Sequence, residues 1–259
     1  MEPSKEAFFT NELQNLCHLD AHSYESAAIL YHQIYCNLLP RDKQAKVLDI
    51  GCGGGHFLYY LHREGYTNFL GIDISPYIVN FVKNNICERI EQADIFQFLK
   101  TKKNEYDIIV GNELVEHIPK GQIINMLELI HSALKSGGRV ILKTPNMGAP
   151  FAIYARYLDF THSIGFTEYS LAEILTVAGF QQVAIFPASR RFSLIRNYFT
   201  LRMCIHLPGY FLYEIPRFAF EKVMQYLYHI SDRSPGKLLS KSIIGTGTKL
   251  VDYEGEESI

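Results

Sequence analysis

The sequence lacks the features that define several large classes of protein. It has no run of about 18 consecutive apolar residues, the length that a membrane-spanning helix requires. Residues 1–20 contain no basic segment followed by an apolar core, so no secretory signal peptide is expected. Internal repeats, low-complexity segments and Pro/Gly/Ser-rich linkers are also missing. We therefore expect residues 1–259 to form a single domain.

Cysteine is scarce and the charges nearly balance. The five cysteines form no Cys-x-x-Cys pair and are odd in number, which predicts reduced thiols and a cytoplasmic location. The histidines are scattered, with only His18 and His22 four residues apart, and no paired-carboxylate spacing stands out, so no metal requirement is expected. A formal net charge of −2 gives no reason to expect a polyanionic partner, which disfavours nucleic acid.

What the sequence does contain is a strand-to-loop junction at Val47–His56, which reads VLDIGCGGGH. Its apolar residues suit a buried parallel strand, and four glycines follow within five positions. Glycine allows positive φ and carries no Cβ, so a ligand can lie directly on this backbone. The NAD-binding pattern GxGxxG, started at Gly51, requires glycine where His56 stands. The junction therefore argues against an NAD-dependent oxidoreductase.

Acidic residues end two later apolar segments. Asp73 lies 22 residues after the first glycine of the loop, the separation at which a carboxylate can bind both hydroxyls of a ribose. Ser75 followed by proline predicts a helix start. Residues 91–95 are predicted to form another short strand that ends in Asp94 and Ile95.

A fourth strand, predicted at Tyr106–Val110, leads into the sequence GNELVEHIP. Asp49 before the GxGxG loop, Asp73 and this later segment together resemble the class I S-adenosylmethionine-dependent methyltransferases. The Glu116-His117 pair resembles that of ubiquinone-pathway O-methyltransferases. The resemblance covers residues 45–188 in the right order.

The resemblance implies an α/β Rossmann-like sheet of seven strands in the order 3-2-1-4-5-7-6, with the last strand antiparallel. It divides the chain into N-terminal lid helices (1–44), a cofactor-binding core (45–188), an aromatic helical insertion (189–240), and the last strand and tail (241–259). It also implies S-adenosylmethionine as cofactor and S-adenosylhomocysteine as product. The cofactor-binding residues it implies are Asp49, Gly51, Cys52, Gly53, Gly55, Asp73, Ile74, Asp94, Ile95 and Asn112.

The acceptor is expected to lie against residues 144–169, because loops beyond the carboxyl edge of a rigid sheet carry function. The candidate substrate-binding residues are Tyr154, Arg156, Asp159 and Glu116. His117 and His162 are the candidate general bases for a hydroxyl acceptor. The alternatives are a structural role for His117 in the pocket wall and a loop hydrogen bond for His162. A phosphate or carboxylate acceptor would need no base, and Arg156 would orient it.

The acceptor is expected to be a small molecule that is methylated on oxygen. The sequences DFTH (159–162) and GFTE (165–168) resemble methyltransferases of bacterial surface-polysaccharide (capsule) clusters, which favours a sugar or a nucleotide- or lipid-linked precursor. A quinone or phenolic metabolite is the alternative. The segment after strand four lacks the Asn/Asp-Pro-Pro-aromatic motif of nucleic-acid amino-methyltransferases. Outside this class, the alternatives are an NAD-dependent oxidoreductase and a non-catalytic binding module.

Residues 190–240 are rich in aromatic and basic side chains. Ten residues from Phe192 to Tyr228 are Phe or Tyr. Three interpretations follow: an apolar helical cover or homodimer surface, a pocket for an anionic acceptor, and a peripheral contact of residues 190–230 with the inner membrane.

Overall fold

The computed structural model describes residues 20–149, 152–188, 223 and 240–250. The helices are α1 (Ala21–Tyr35), α2 (His56–Arg63), α3 (Pro76–Asn85), α4 (Ile95–Lys100), α5 (Ile123–Ala133), α6 (Ala152–Leu158) and α7 (Glu168–Val177). The strands are β1 (Val47–Ile50), β2 (Phe69–Asp73), β3 (Ile90–Gln92), β4 (Tyr106–Asn112), β5 (Leu134–Pro145), β6 (Gln181–Pro187) and β7 (Ser242–Thr248). Two short 3₁₀ helices, Val115–His117 and Lys120–Gln122, follow β4.

The strands form one seven-stranded sheet in the order β3-β2-β1-β4-β5-β7-β6, which confirms the expected fold. Strands β1 to β5 pair in parallel, whereas β7 lies antiparallel between β5 and β6. The order of the strands reverses at β1: β2 and β3 are added on one side of β1, and β4 is added on the other side. The carboxyl ends of β1 and β4 therefore border one crevice. Ligands of open parallel sheets bind in such a crevice.

Helices cover both faces of the sheet. On one face, α5 packs against β5 and α7 packs against β6 and β7, and their apolar residues join those of β1 and β4 in one core cluster. On the other face, α2 packs against β2, α3 packs against β2 and β3, and α1 covers α2; their cluster also includes residues of β1, β4 and β5. Because both faces are covered, β1 is buried along its whole length, and Asp49 is its one polar residue.

Two predicted boundaries are wrong, and hydrogen bonding explains both. The third strand ends at Gln92, and Asp94 instead caps helix α4, where its Oδ1 accepts from Gln97 N at 3.0 Å. The capping-box pattern SLAE at 170–173 predicts that helix α7 begins with Ser170 as its cap. In the structure Thr167 is the cap and Ser170 completes the capping box from inside the first turn.

Helix α1 packs on α2 through an aromatic face, whereas the pattern of residues 11–39 predicts that aliphatic residues, among them Ile29, pack there. Tyr24, Ala28 and Tyr35 are buried, whereas Ile29 is 52% exposed. These buried positions recur at helical spacing and face α2. The other predicted packing positions of this region are Ile34 and Leu38, which are partly buried, and Leu13 and Leu16, which lie outside the described residues.

The predicted aromatic helical insertion at 189–240 lies outside the described residues except for Val223 and Ser240. The chain enters this segment after β6 and returns into β7. Within the described ranges, no helix combines the length and apolar character needed to cross a membrane.

Candidate cofactor and acceptor site

The glycine loop after β1 is held against β2 by its own backbone. The N–H groups of Gly51 and Cys52 both donate to Ile72 O, at 2.9 and 3.1 Å. Gly51, Gly53 and Gly55 all have positive φ, which favours glycine. A Cβ on Gly51 would also lie 2.7 Å from Leu114 Cδ1. The loop therefore presents bare backbone to the space in front of it.

Asp73 closes the loop from the end of β2. Its Oδ2 accepts from Gly53 N and its Oδ1 accepts from Ser75 N, each at 3.0 Å. Burial raises the pKa of this carboxyl, and the backbone N–H donors oppose the rise. The carboxylate is thus fixed in orientation, and each oxygen can still accept from a ligand hydroxyl.

Asp49 is a buried carboxyl, and neither of its oxygens has a hydrogen-bond partner among the described residues. Burial and the nearby carboxylate of Asp73 raise its pKa well above the ordinary value. Asn112 provides the complementary donor, because its Nδ2 is likewise buried without a partner in this part of the chain. Its Oδ1 accepts from Tyr35 Oη, which orients the amide. A ligand with an ammonium and a carboxylate would satisfy both groups.

These groups share one cavity of about 830 Å³ at the carboxyl edge of the sheet. The predicted site residues that line it are Asp49, Gly51, Cys52, Gly53, Asp73, Ile74, Asp94, Ile95, Asn112 and His117. The predicted residues outside its lining are Gly55, Glu116, Tyr154, Arg156, Asp159 and His162. Gly55 caps α2 directly behind the loop, and Glu116 is buried beneath the cavity wall. The structure thus brings most of the predicted cofactor residues together.

Two tyrosines of α1 border the cavity: Tyr31 lines it, whereas Tyr24 contacts the lining residues Gly54 and His56. Tyr24 Oη donates to Gly54 O at 2.6 Å, and its ring stacks on His56 with centroids 4.5 Å apart. Tyr31 lies seven residues, or about two helical turns, after Tyr24 and lines the cavity. The repeat of tyrosines at positions 24, 31 and 35 was the signal that could have identified these contacts from sequence.

His117 is held by a hydrogen-bonded chain from the opposite loop. Thr161 Oγ1 lies 2.7 Å from both His117 Nδ1 and Asp159 Oδ1. An ionised Asp159 can only accept, so the single Thr161 proton goes to it, and Thr161 must accept from His117 Nδ1–H. Nε2 is then the unprotonated nitrogen of His117. Burial, with the neighbouring His162 second, lowers the pKa of His117 and favours this neutral form.

Glu116 and His162 lie beside His117. The two imidazole rings meet edge to face with centroids 4.8 Å apart. Glu116 is 1% exposed, and its Oε2 accepts from Thr144 Oγ1 at 3.0 Å. Burial and the charge of Glu113 raise the pKa of Glu116 well above the usual value. His162 Nε2 lies 4.0 Å from Asp159 Oδ2.

The remaining predicted acceptor residues face outward. Tyr154 is 70% exposed on α6. Arg156 donates to Ser163 O at 3.1 Å and therefore braces the loop that carries Thr161 and His162. Phe160, Thr161 and Ser163 line the cavity instead of these two residues. The predicted segment is therefore in the right place, but different side chains of it reach the cavity.

A sheet of this order, with a glycine loop and an acidic residue at the end of β2, defines the class I methyltransferase fold. The methyltransferase-domain family matches residues 25–185, which is more than half of the chain. The chain belongs to this family and is an S-adenosylmethionine-dependent methyltransferase. The prediction of class and cofactor is confirmed.

Individual relatives are more distant. An uncharacterised methyltransferase of Synechocystis is 26% identical over 159 residues, which cover 59% of this chain and 74% of that protein. A ubiquinone biosynthesis O-methyltransferase of Coxiella burnetii is 25% identical over 175 residues, which cover 60% and 74%. A SAM-dependent methyltransferase from Archaeoglobus fulgidus has the same fold, with a TM-score of 0.62 at 22% identity over 86% of this chain and 94% of that one.

Proposed function

We propose that this enzyme transfers the methyl group of S-adenosylmethionine to an oxygen of a small-molecule acceptor bound near His117. The observation that carries the proposal is the shared cavity: the unpartnered groups of Asp49 and Asn112 lie in the same lining as His117. A cofactor site and a proton acceptor therefore border one space.

The cofactor half is proposed to work through polar groups of the cavity lining. Asp49 binds the methionine ammonium, and Asn112 Nδ2 donates to the methionine carboxylate. Asp73 accepts from the ribose hydroxyls, since Gly53 and Ser75 already fix its orientation. Asp94 and Ile95 meet the adenine from the start of α4. The sulfonium makes the methyl carbon electrophilic.

The acceptor half is proposed to remove the hydroxyl proton. As the O–C bond forms and the C–S bond breaks, the acceptor proton passes to His117 Nε2, and S-adenosylhomocysteine leaves as a neutral thioether. Thr161 and Asp159 hold His117 in the required tautomer. Alignment of both reactants in this geometry supplies about 7–11 kcal/mol of barrier reduction.

A quinone-type phenol is the acceptor that the relatives support, through the Coxiella burnetii ubiquinone biosynthesis enzyme. The sugar or polysaccharide precursor stays a prediction from the DFTH and GFTE sequences. Cytoplasmic location, membrane contact through 190–230 and a homodimer also stay predictions, because the segment that bears on the last two lies outside the described residues.

The test is a methyl-transfer assay with the full-length protein and isotope-labelled S-adenosylmethionine. Catechol-type phenols, nucleotide sugars and matched amines are offered as acceptors, and calorimetry follows binding of S-adenosylmethionine and NAD. Label on an oxygen acceptor, lost in His117→Asn while S-adenosylmethionine still binds, supports the proposal. Asp73→Ala should abolish cofactor binding. Label on amines alone would contradict the oxygen assignment.

A further inference from the structure

Three metal-ligating side chains converge at the acceptor side of the cavity. Glu116, His117 and His162 each offer a donor atom within 4.8 Å of the other two. Donors bound about 2.0–2.2 Å from one ion lie about 3–4 Å apart, so small side-chain rotations would bring these three onto a single ion. The spacing rules applied to the sequence miss this group because His162 follows 45 residues after His117.

The backbone fixes the two segments that carry these donors. Glu116 and His117 lie on the 3₁₀ helix that follows β4. The loop that carries His162 is tied to that helix by Ser163 N, which donates to Glu116 O at 2.7 Å, and Arg156 braces Ser163 from the other side. The donors are therefore held in place by main-chain contacts rather than by one another.

Glu116 has one carboxyl oxygen that is free to bind a ligand. Its Oε2 is occupied by Thr144, but Oε1 is buried and has no hydrogen-bond partner in the described part of the chain. A buried polar atom without a partner destabilises the protein. A cation at Oε1 would remove that cost, and no described basic side chain occupies this position.

His117 is also arranged as a metal ligand. Metal-bound histidines generally donate their second ring N–H to an oxygen acceptor, which fixes the ring and the tautomer. His117 Nδ1–H donates to Thr161 Oγ1, which in turn donates to Asp159. This chain leaves the Nε2 lone pair for an ion.

We propose that Glu116, His117 and His162 bind one divalent transition-metal cation that holds and activates the acceptor oxygen. Two imidazoles and one carboxylate suit Mn²⁺, Fe²⁺, Co²⁺ or Zn²⁺ better than Mg²⁺ or Ca²⁺, which prefer oxygen ligands. The inference replaces the expectation of a metal-free site.

Three protein ligands leave coordination positions for an acceptor oxygen and water. Coordination lowers the pKa of the acceptor hydroxyl, so its proton passes to solvent rather than to His117, which is then a ligand. The oxygen attacks the methyl carbon as the C–S bond breaks. This chemistry rests on the proposed methyl transfer to an oxygen but replaces His117 as the acceptor of the proton, whereas binding of the cation depends on neither.

The test measures cation binding directly on the full-length protein after chelator treatment. Co²⁺ is titrated while its visible d–d absorption is recorded, and calorimetry with Zn²⁺ and Mn²⁺ gives the stoichiometry. One equivalent should bind. Glu116→Gln, which keeps the contact with Thr144, and His162→Ala should each weaken binding at least 10-fold. His62→Ala, a change on the exposed face of α2, should leave it unchanged.

A substitution at Thr161 tests the residue that orients the metal ligand His117. Thr161→Val should weaken cation binding about 10–100-fold, the usual effect of removing an outer-shell partner. Calorimetry with S-adenosylmethionine confirms that each variant is folded, since none of the four side chains is proposed to bind the cofactor. If Glu116→Gln does not fold, His162→Ala decides.

Two results would overturn the inference. One is the absence of cation binding in a wild-type protein that binds S-adenosylmethionine; the other is equal affinity in wild type, Glu116→Gln and His162→Ala. Either result leaves the proposed methyl transfer standing, because the labelling assay tests it separately. Cation binding without transfer to any oxygen acceptor would contradict the proposed function and retain the metal site.

Discussion

At the scale of single residues, the site contains buried polar atoms that have no hydrogen-bond partner among the described residues. Asp49, Asn112 and Glu116 all bury such atoms, and together they account for every buried side-chain nitrogen or oxygen without a partner in the described ranges. Burying an unpaired polar group costs about 1–3 kcal/mol, and more for a charge. The cofactor site therefore lowers the stability of the free protein.

The contribution of Asp49 to the free energy of unfolding should depend on pH. The folded-state pKa of Asp49 is raised by burial and by Asp73, so the native state holds a proton that the unfolded state releases above about pH 4. Its contribution to stability is present at low pH and is lost as pH rises through the folded pKa. The free energy of unfolding of wild type, minus that of Asp49→Asn, should therefore increase as pH falls from 8 toward 4.

Urea denaturation at a series of pH values measures this difference. Subtraction cancels titration of groups present in both proteins, and Asp42→Asn, at an exposed loop position, controls for the general effect of removing a carboxylate. A pH-independent difference between wild type and Asp49→Asn would show that Asp49 is not a protonated buried group in the free enzyme.

At the scale of elements, α1 and the cofactor loop form one unit. Tyr24 donates to Gly54 O, and Tyr35 donates to Asn112. Tyr31 and Tyr35 pack on Phe57 of α2. Glu25 adds contacts to Tyr59 and Arg63 at the exposed edge. Movement of α1 would thus change the loop that is proposed to bind the cofactor.

Tyr24→Phe should weaken S-adenosylmethionine binding several-fold. The substitution removes only the hydroxyl that holds Gly54 O, a contact worth about 0.5–1.5 kcal/mol, and keeps the ring that stacks on His56. Calorimetry gives the affinity. Tyr77→Phe, which removes a hydroxyl from a side chain 53% exposed on α3, is the matched control. Equal affinities in the two variants would mean that the α1 contact does not order the loop.

Helix α7 offers a test of its cap. Thr167→Ala should lower the free energy of unfolding by about 1 kcal/mol, because Thr167 Oγ1 accepts from Ser170 N and forms half of the capping box. Thr176→Ala, on an exposed turn of the same helix, should change it little or raise it, since alanine favours helix. Chemical denaturation of both variants checks the difference, and equal changes in the two variants would show that the Thr167 hydroxyl does not stabilise the helix as a cap.

At the scale of the whole molecule, the fold and cofactor class were predictable because the signals are local. Gly51 must be glycine whatever surrounds it, and Asp73 follows at the distance that one βαβ unit sets. Glu116 and His162 could not be joined from sequence, since their proximity depends on how the 159–163 loop folds back onto β4. Asp94 was misplaced because a capping aspartate and a strand-end aspartate look alike without the hydrogen bond.

The antiparallel strand β7 has no room for a side chain at Gly247. A Cβ on Gly247 would lie 2.6 Å from Phe180 Cβ, which cannot rotate away. Gly247→Ala should therefore cost about 1–3 kcal/mol of unfolding free energy through overpacking. Gly121→Ala, where no atom lies within 4 Å of the added Cβ, is the control. Thermal and urea unfolding that did not distinguish the two variants would refute the tight packing.

The position of β7 also sets the order in which the protein can be completed during synthesis. The residues that line the cavity lie between Tyr31 and Ser163, so all of them leave the ribosome before β7 is made. Until then β5 exposes a free edge, and β6, which pairs with β7 alone among the described strands, has no neighbour. Unpaired edges recruit other chains. A nascent chain that stalls in the segment between β6 and β7 thus carries every cavity-lining residue on an unfinished sheet, which makes this interval the step at which aggregation competes with folding.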